Sequence, residues 1–109
     1  MAAAPNIWRE QMEFEIKRED DGVDGAYFIE DGGKRIGEMT YRIRPGKILI
    51  IHTGVEKEYG RHGLGLKLVM RAVEDARKEG FKIKPYCPFA KKVIEGKPEL
   101  HDVLEYAVG

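Results

Sequence analysis

With 109 residues, the chain has room for one small domain and one modest core. Nineteen basic and nineteen acidic side chains cancel, so binding to nucleic acid through bulk charge is not expected. No apolar run approaches a membrane span, the single cysteine, Cys87, excludes an internal disulfide, and His52, His62 and His101 are too scattered for zinc spacing; neither a membrane nor a metal partner is expected.

The opening residues, Met-Ala-Ala-Ala-Pro-Asn, lack a basic segment followed by an apolar core. No secretory leader is read, and the cytoplasm is the default location. Residues 1–10 are expected to form a flexible tail and residues 11–109 a single domain. Residues 12–17 alternate apolar and polar, as a half-buried strand does. A charged turn follows over 19–25, then a second strand over 26–30. Asp31-Gly32-Gly33-Lys34 reads as a hairpin turn, and a third strand runs over 35–43. Pro45-Gly46 marks the next turn. The fourth strand, from Lys47 to about Thr53, is nearly continuous in apolar residues, which predicts burial on both faces.

A helix is expected over 66–79. Leu66, Val69, Met70, Val73 and Ala76 form its apolar stripe, with Arg71, Glu74, Asp75 and Lys78 facing away. Gly80 ends it. A fifth strand over 81–86 completes a right-handed βαβ crossover. Pro88 then opens a second helix, since its missing N–H costs nothing at that position. Phe89, Ala90, Val93 and Ile94 are its apolar stripe and Gly96 its stop. Leu100, Val103 and Leu104 suggest a last short helix. The sum is an α/β (α+β) fold: a mixed, mostly antiparallel sheet flanked by helices.

Residues 55–65 stand between the fourth strand and the first helix and are rich in glycine. Glycines let backbone approach a ligand closely, and the first N–H groups of a helix favour an anion. The stretch therefore reads as a phosphate or pyrophosphate site. It is not a P-loop, because Gly65 is followed by Leu66-Lys67-Leu68 rather than Lys-Ser or Lys-Thr. A dinucleotide fingerprint would need glycine where Leu68 stands.

The stretch resembles the acyl-CoA pyrophosphate loop of the GNAT acetyltransferases, Gln/Arg-x-x-Gly-x-Gly/Ala. Gly63-Leu64-Gly65 match its end, and Gly60 stands at the Gln/Arg position, with Arg61 one residue late. Three further pieces, His52-Thr53-Gly54-Val55, Cys87-Pro88-Phe89-Ala90 and Pro98-Glu99-Leu100-His101-Asp102, resemble the small single-domain GNAT-like proteins of the YjdJ type. The resemblance implies a shortened GNAT fold, acetyl-CoA as co-substrate, an unidentified amine acceptor and no metal. It also implies that the fourth strand splays from the fifth, placing residues 52–55 near Tyr86 and Cys87. The helical pair that larger members carry after the first strand is missing, so a dimer that completes the site stands beside a monomer.

Acyl transfer needs a donor site, hydrogen bonds to a developing negative charge, and a proton acceptor. For the donor, the resemblance implies Thr53, Val55, Gly60, Arg61, His62, Gly63, Leu64 and Gly65, with Lys67 and Lys91 supplying charge. His52 is a base by type; the alternative is a strand-end histidine bonded to backbone. Cys87 falls at a helix N-cap, where the dipole favours a thiolate. That thiolate either takes the acyl group or, as a thiol, protonates the leaving CoA sulfur. The alternative is a small buried hydrophobe. The leading reading is an acetyl-CoA-dependent N-acyltransferase. Two others stand beside it: a non-catalytic acyl-CoA binder, and a protein-interaction domain on the same fold.

Overall fold

A computed structural model describes residues 14–108. Its sheet has five strands in sequential order. They are β1 (Ile16–Asp20), β2 (Asp24–Asp31), β3 (Lys34–Arg44), β4 (Lys47–Val55) and β5 (Lys82–Pro85). The first four pair antiparallel, and β5 lies parallel to β4, with Lys47 opposite Lys82 and Ile50 opposite Pro85. The parallel pair is joined by helix α1 (Leu64–Glu79), as a crossover requires. Helix α2 (Pro88–Glu95) and a 3-10 turn (Pro98–Val103) follow β5. Among the described residues, no helix is long and apolar enough to cross a membrane, and no cluster of His, Cys, Asp and Glu could hold a metal ion.

All the helices pack on one face of the sheet. Tyr27, Ile29, Met39, Tyr41, Ile48 and Ile50 point at α1, which answers with Leu64, Leu68, Val69, Ala72, Val73 and Ala76. Alternate residues therefore face water, and this corrects the expectation for the fourth strand. Ile48 and Ile50 are buried, but Ile51 is 42% exposed and His52 is open to solvent. With helices on one side only, an apolar run cannot be covered twice.

Two other expectations shift. Met12 and Glu13 lie outside the described residues, and β1 continues through Glu19 and Asp20, which the sequence assigns to a turn. Charge at those positions suits an edge strand. Helix α1 begins two residues early, and its buried stripe is rotated: Leu66 is exposed, whereas Leu64, Leu68, Ala72 and Asp75 are buried.

Asp75 is buried, not outward-facing, because it has partners. It is 6% exposed. The Tyr27 hydroxyl donates to its Oδ2 at 2.8 Å, the Arg18 Nη1 donates to the same atom at 3.2 Å, and the Arg71 Nε donates to Oδ1 at 3.3 Å. Arg18 also donates to the Tyr41 hydroxyl at 3.1 Å and to Glu79 at 2.7 Å, while Arg71 reaches the Ile16 carbonyl at 3.0 Å. Burial, followed by the bond to Asp75, holds Tyr27 well above the usual phenol range, so it remains a neutral donor. This network fastens the edge strand β1 to α1. Replacing Asp75 with Ala strands a buried hydroxyl and removes a partner from each of two guanidinium groups. Urea unfolding should show a loss of about 2 kcal/mol, with the sheet retained by circular dichroism.

Candidate active site

The site begins where β5 leaves the sheet. Parallel pairing ends at Ile50 and Pro85. The Ile50 carbonyl accepts both the Tyr86 N–H, at 2.9 Å, and the Cys87 N–H, at 3.0 Å. The chain then turns into α2, with Pro88 at its start. Strand β4 runs on to Val55 with β3 alone. A gap opens between the two strands beyond Ile50.

A bulge decides which side chains face this gap. Tyr41 pairs with Ile50 but Thr40 pairs with His52, so Ile51 is an extra residue in β4. The alternation is reset by one. His52, opposite Thr40, is turned to the open face, and Thr53, opposite the buried Met39, is turned toward the helices. The structure thus brings Thr53 and Cys87 together and leaves His52 on the other side of the sheet. There His52 lines a separate cavity of about 330 Å³ with Arg35, Glu38 and Glu56.

Cys87 is the N-cap of α2, in extended backbone, and is 3% exposed. Its Sγ lies 3.5 Å from Thr53 Oγ1. Burial alone would push the thiol up. Against it act the Thr53 hydroxyl and then the backbone groups of Ala90, Phe89 and Thr53, and the net direction is down. The first two of these belong to the unpaired N–H groups at the start of α2. A sulfur in this setting ionises more readily than a free thiol.

Beside it lies a cavity of about 390 Å³, lined by Thr53, Gly54, Val55, Gly60, Gly63, Leu64, Gly65, Leu66 and Phe89. Gly63 is the N-cap of α1 in the left-handed region, at φ 66° and ψ 27°. It has no side chain to cap the helix, and no acid stands in the first turn, so the N–H groups there keep their positive end free for an anion. At Gly65 a Cβ would lie 3.0 Å from the Phe89 ring, so the missing side chain makes room for that ring. Leu64, fully buried, anchors the loop to the core.

The other residues expected to hold the donor are placed differently. Arg61, His62, Lys67 and Lys91 are not among the lining residues of this cavity. Arg61 and Lys91 are exposed, and His62 sits beside the Tyr59 ring at 6.2 Å and the Phe14 ring at 6.4 Å. Tyr86 is exposed and fills no core. His101 Nε2 lies 2.8 Å from the Glu95 carbonyl, a contact between the 3-10 turn and the end of α2. Two lining residues were assigned by the sequence to helix stripes instead, Leu66 and Phe89. Phe89 is 42% exposed and packs at Gly65, a proximity that the sequence does not mark.

The family model described as GCN5-related N-acetyl-transferase matches residues 26–103. Among solved structures, a GCN5-like protein from Staphylococcus aureus is 35% identical, with a TM-score of 0.68 over 87% of this chain and 91% of that one. A ribosomal-protein-alanine N-acetyltransferase from Brucella melitensis shares the fold at 17% identity and a TM-score of 0.56, over 82% of this chain and 66% of that one. An aminoglycoside acetyltransferase from an uncultured soil metagenomic sample does so at 14% identity and a TM-score of 0.56, over 83% and 64%. Among curated protein sequences none matches.

The loop geometry has a measurable cost. A Cβ at Gly63 would meet nothing within 4 Å, so a substitution there is strained by backbone alone. Gly63→Ala should lower unfolding free energy by about 1–2 kcal/mol in urea titration, without disturbing the core.

Proposed function

The chain belongs to the GCN5-related N-acetyltransferase family, and from that premise we propose that it moves an acetyl group from acetyl-CoA to an amine, with Cys87 at the reacting end of the site. The observation that carries this reading is the meeting of Cys87 Sγ and Thr53 Oγ1, 3.5 Å apart, in the gap beside the glycine-lined cavity. The pyrophosphate of the donor would lie on the free N–H groups at Gly63–Gly65. Its pantetheine arm would follow the unpaired edge of β4 past Val55 and Thr53, and its thioester would arrive at Cys87. Leu66 and Phe89 give that path an apolar wall.

Two routes use the same sulfur. In one, the Cys87 thiolate attacks the thioester carbon. A new carbon–sulfur bond forms, the bond to CoA breaks, and the CoA thiolate leaves. The amine then attacks the acyl-cysteine, loses its proton to solvent or a base, and returns the Cys87 thiolate. In the other, the amine attacks the thioester directly and loses its proton to solvent or a base, while the Cys87 thiol gives its proton to the departing CoA sulfur and regains one from solvent. In both, N–H groups beside the gap receive the charge that builds on the carbonyl oxygen. A second reading, a silent acyl-CoA binder, is favoured by one observation: His52, the base expected from the sequence, opens on the opposite face of the sheet.

Calorimetry with acetyl-CoA and intact-mass spectrometry on the same sample test the proposal. Micromolar binding is expected. So is an amine-dependent release of CoA that falls at least about 100-fold in Cys87→Ala. An acetyl adduct seen in the native chain and lost in that variant marks the covalent route; turnover without adduct marks the direct one. No heat at millimolar donor overturns the acyltransferase reading and leaves an interaction domain; full turnover in Cys87→Ala overturns the assignment of Cys87.

A further inference from the structure

We infer that the Thr53 hydroxyl is a positioning group for Cys87, holding its sulfur in the gap between β4 and β5 through the 3.5 Å contact of Oγ1 with Sγ; the inference rests on the proposed role of Cys87. The partners of the sulfur are of two kinds. The backbone groups of Ala90, Phe89 and Thr53, which act to lower the thiol, belong to the course of the chain. The Thr53 hydroxyl is different, because it depends on the residue chosen.

That choice is not explained by packing. Thr53 stands opposite Met39 on the helix side of the sheet, beside Val55, where a valine would fill the same volume. Thr53 is half-buried and lines the glycine-rich cavity, so its hydroxyl stands at the boundary between the apolar layer and the gap. Here the atom within reach is Sγ of Cys87. The bulge at Ile51 is what brings it there, since without the extra residue Thr53 would face the open side. The bond can run both ways. The thiol donates to Oγ1 when protonated, and the hydroxyl donates to sulfur when the thiol is ionised.

The surrounding titratable groups are placed elsewhere. His52 on β4 opens on the other face, Glu38 on β3 lines the cavity with it, and Lys84 on β5 lies 5.4 Å from the Tyr86 ring. Lys67 on α1 and Lys91 on α2 are not among the residues lining the donor cavity.

The test follows the Cβ carbon resonance of Cys87, the chain's single cysteine, by NMR as pH rises, in the full chain without ligand. Thr53→Val removes the hydroxyl and keeps the volume. Thr53→Ser keeps the hydroxyl, and Thr53→Ala serves if the valine variant folds poorly. The native midpoint is expected below the ordinary thiol value of about 8.5. Thr53→Val should reduce the ionisation constant about tenfold, the effect of one hydrogen bond to a charged group, and Thr53→Ser should restore it. An unmoved midpoint in Thr53→Val and Thr53→Ala overturns the inference, as does a serine variant as impaired as the valine one. The proposed function fails separately. A displaced midpoint together with full acetyl transfer in Cys87→Ala keeps the positioning role and removes the chemical one. An unmoved midpoint with transfer lost in Cys87→Ala does the reverse.

Discussion

One carbonyl sets the geometry of this molecule. Ile50 accepts two successive N–H groups, from Tyr86 and Cys87, and there the parallel pairing of β4 and β5 stops. Everything proposed for the site lies downstream of that point. Pro85 cannot donate to a ladder and Pro88 is suited to a helix start, so the chain is turned out of the sheet within a few residues. The turn puts Cys87 at the first turn of α2, where backbone donors have no partner of their own. It also leaves the far half of β4 with one neighbour instead of two.

The rest of the fold keeps that gap in shape. A sheet covered on one face has to be held from one side, and α1 does so along its whole length. Its start, at Gly63 and Leu64, closes the glycine loop over the core; its end, through Asp75 and Glu79, reaches Arg18 on the far edge strand. One helix therefore ties the glycine-lined cavity to the far edge strand. The cost of burying Asp75 is offset by three donors, which makes the tie both strong and specific in direction.

Much of this architecture was legible in the sequence. The hairpin strands declared themselves by alternation and by Gly and Pro at the turns, and the βαβ crossover by a helix set between two apolar runs. The place of the glycine-rich loop, between β4 and α1, was legible as well. What was hidden has a common cause. Asp75 reads as a surface residue until its partners are known, and Tyr27 and Arg18 stand 48 and 57 positions away. The bulge at Ile51 leaves no mark either. Ile48-Leu49-Ile50-Ile51 is apolar throughout, so nothing in the composition says which residue is the extra one. Parity beyond it was unreadable, and with it the placing of His52 and Thr53 on opposite faces. Leu66 was drawn into the wrong stripe for a related reason: a leucine at helical spacing looks like core, whereas this one lines a cavity.

The half-paired β4 has a consequence for the protein as an object in solution. A strand edge with free donors and acceptors is adhesive, and another chain's strand can dock on it as readily as a ligand can. Here the exposed length is short, is kinked by the bulge at its base, and meets the start of α2 where Cys87 touches Thr53. These features leave little room for a second strand. The same construction thus makes this edge a poor one for growth of the sheet by addition of its own kind, while the opposite edge, β1, is short and carries charge instead.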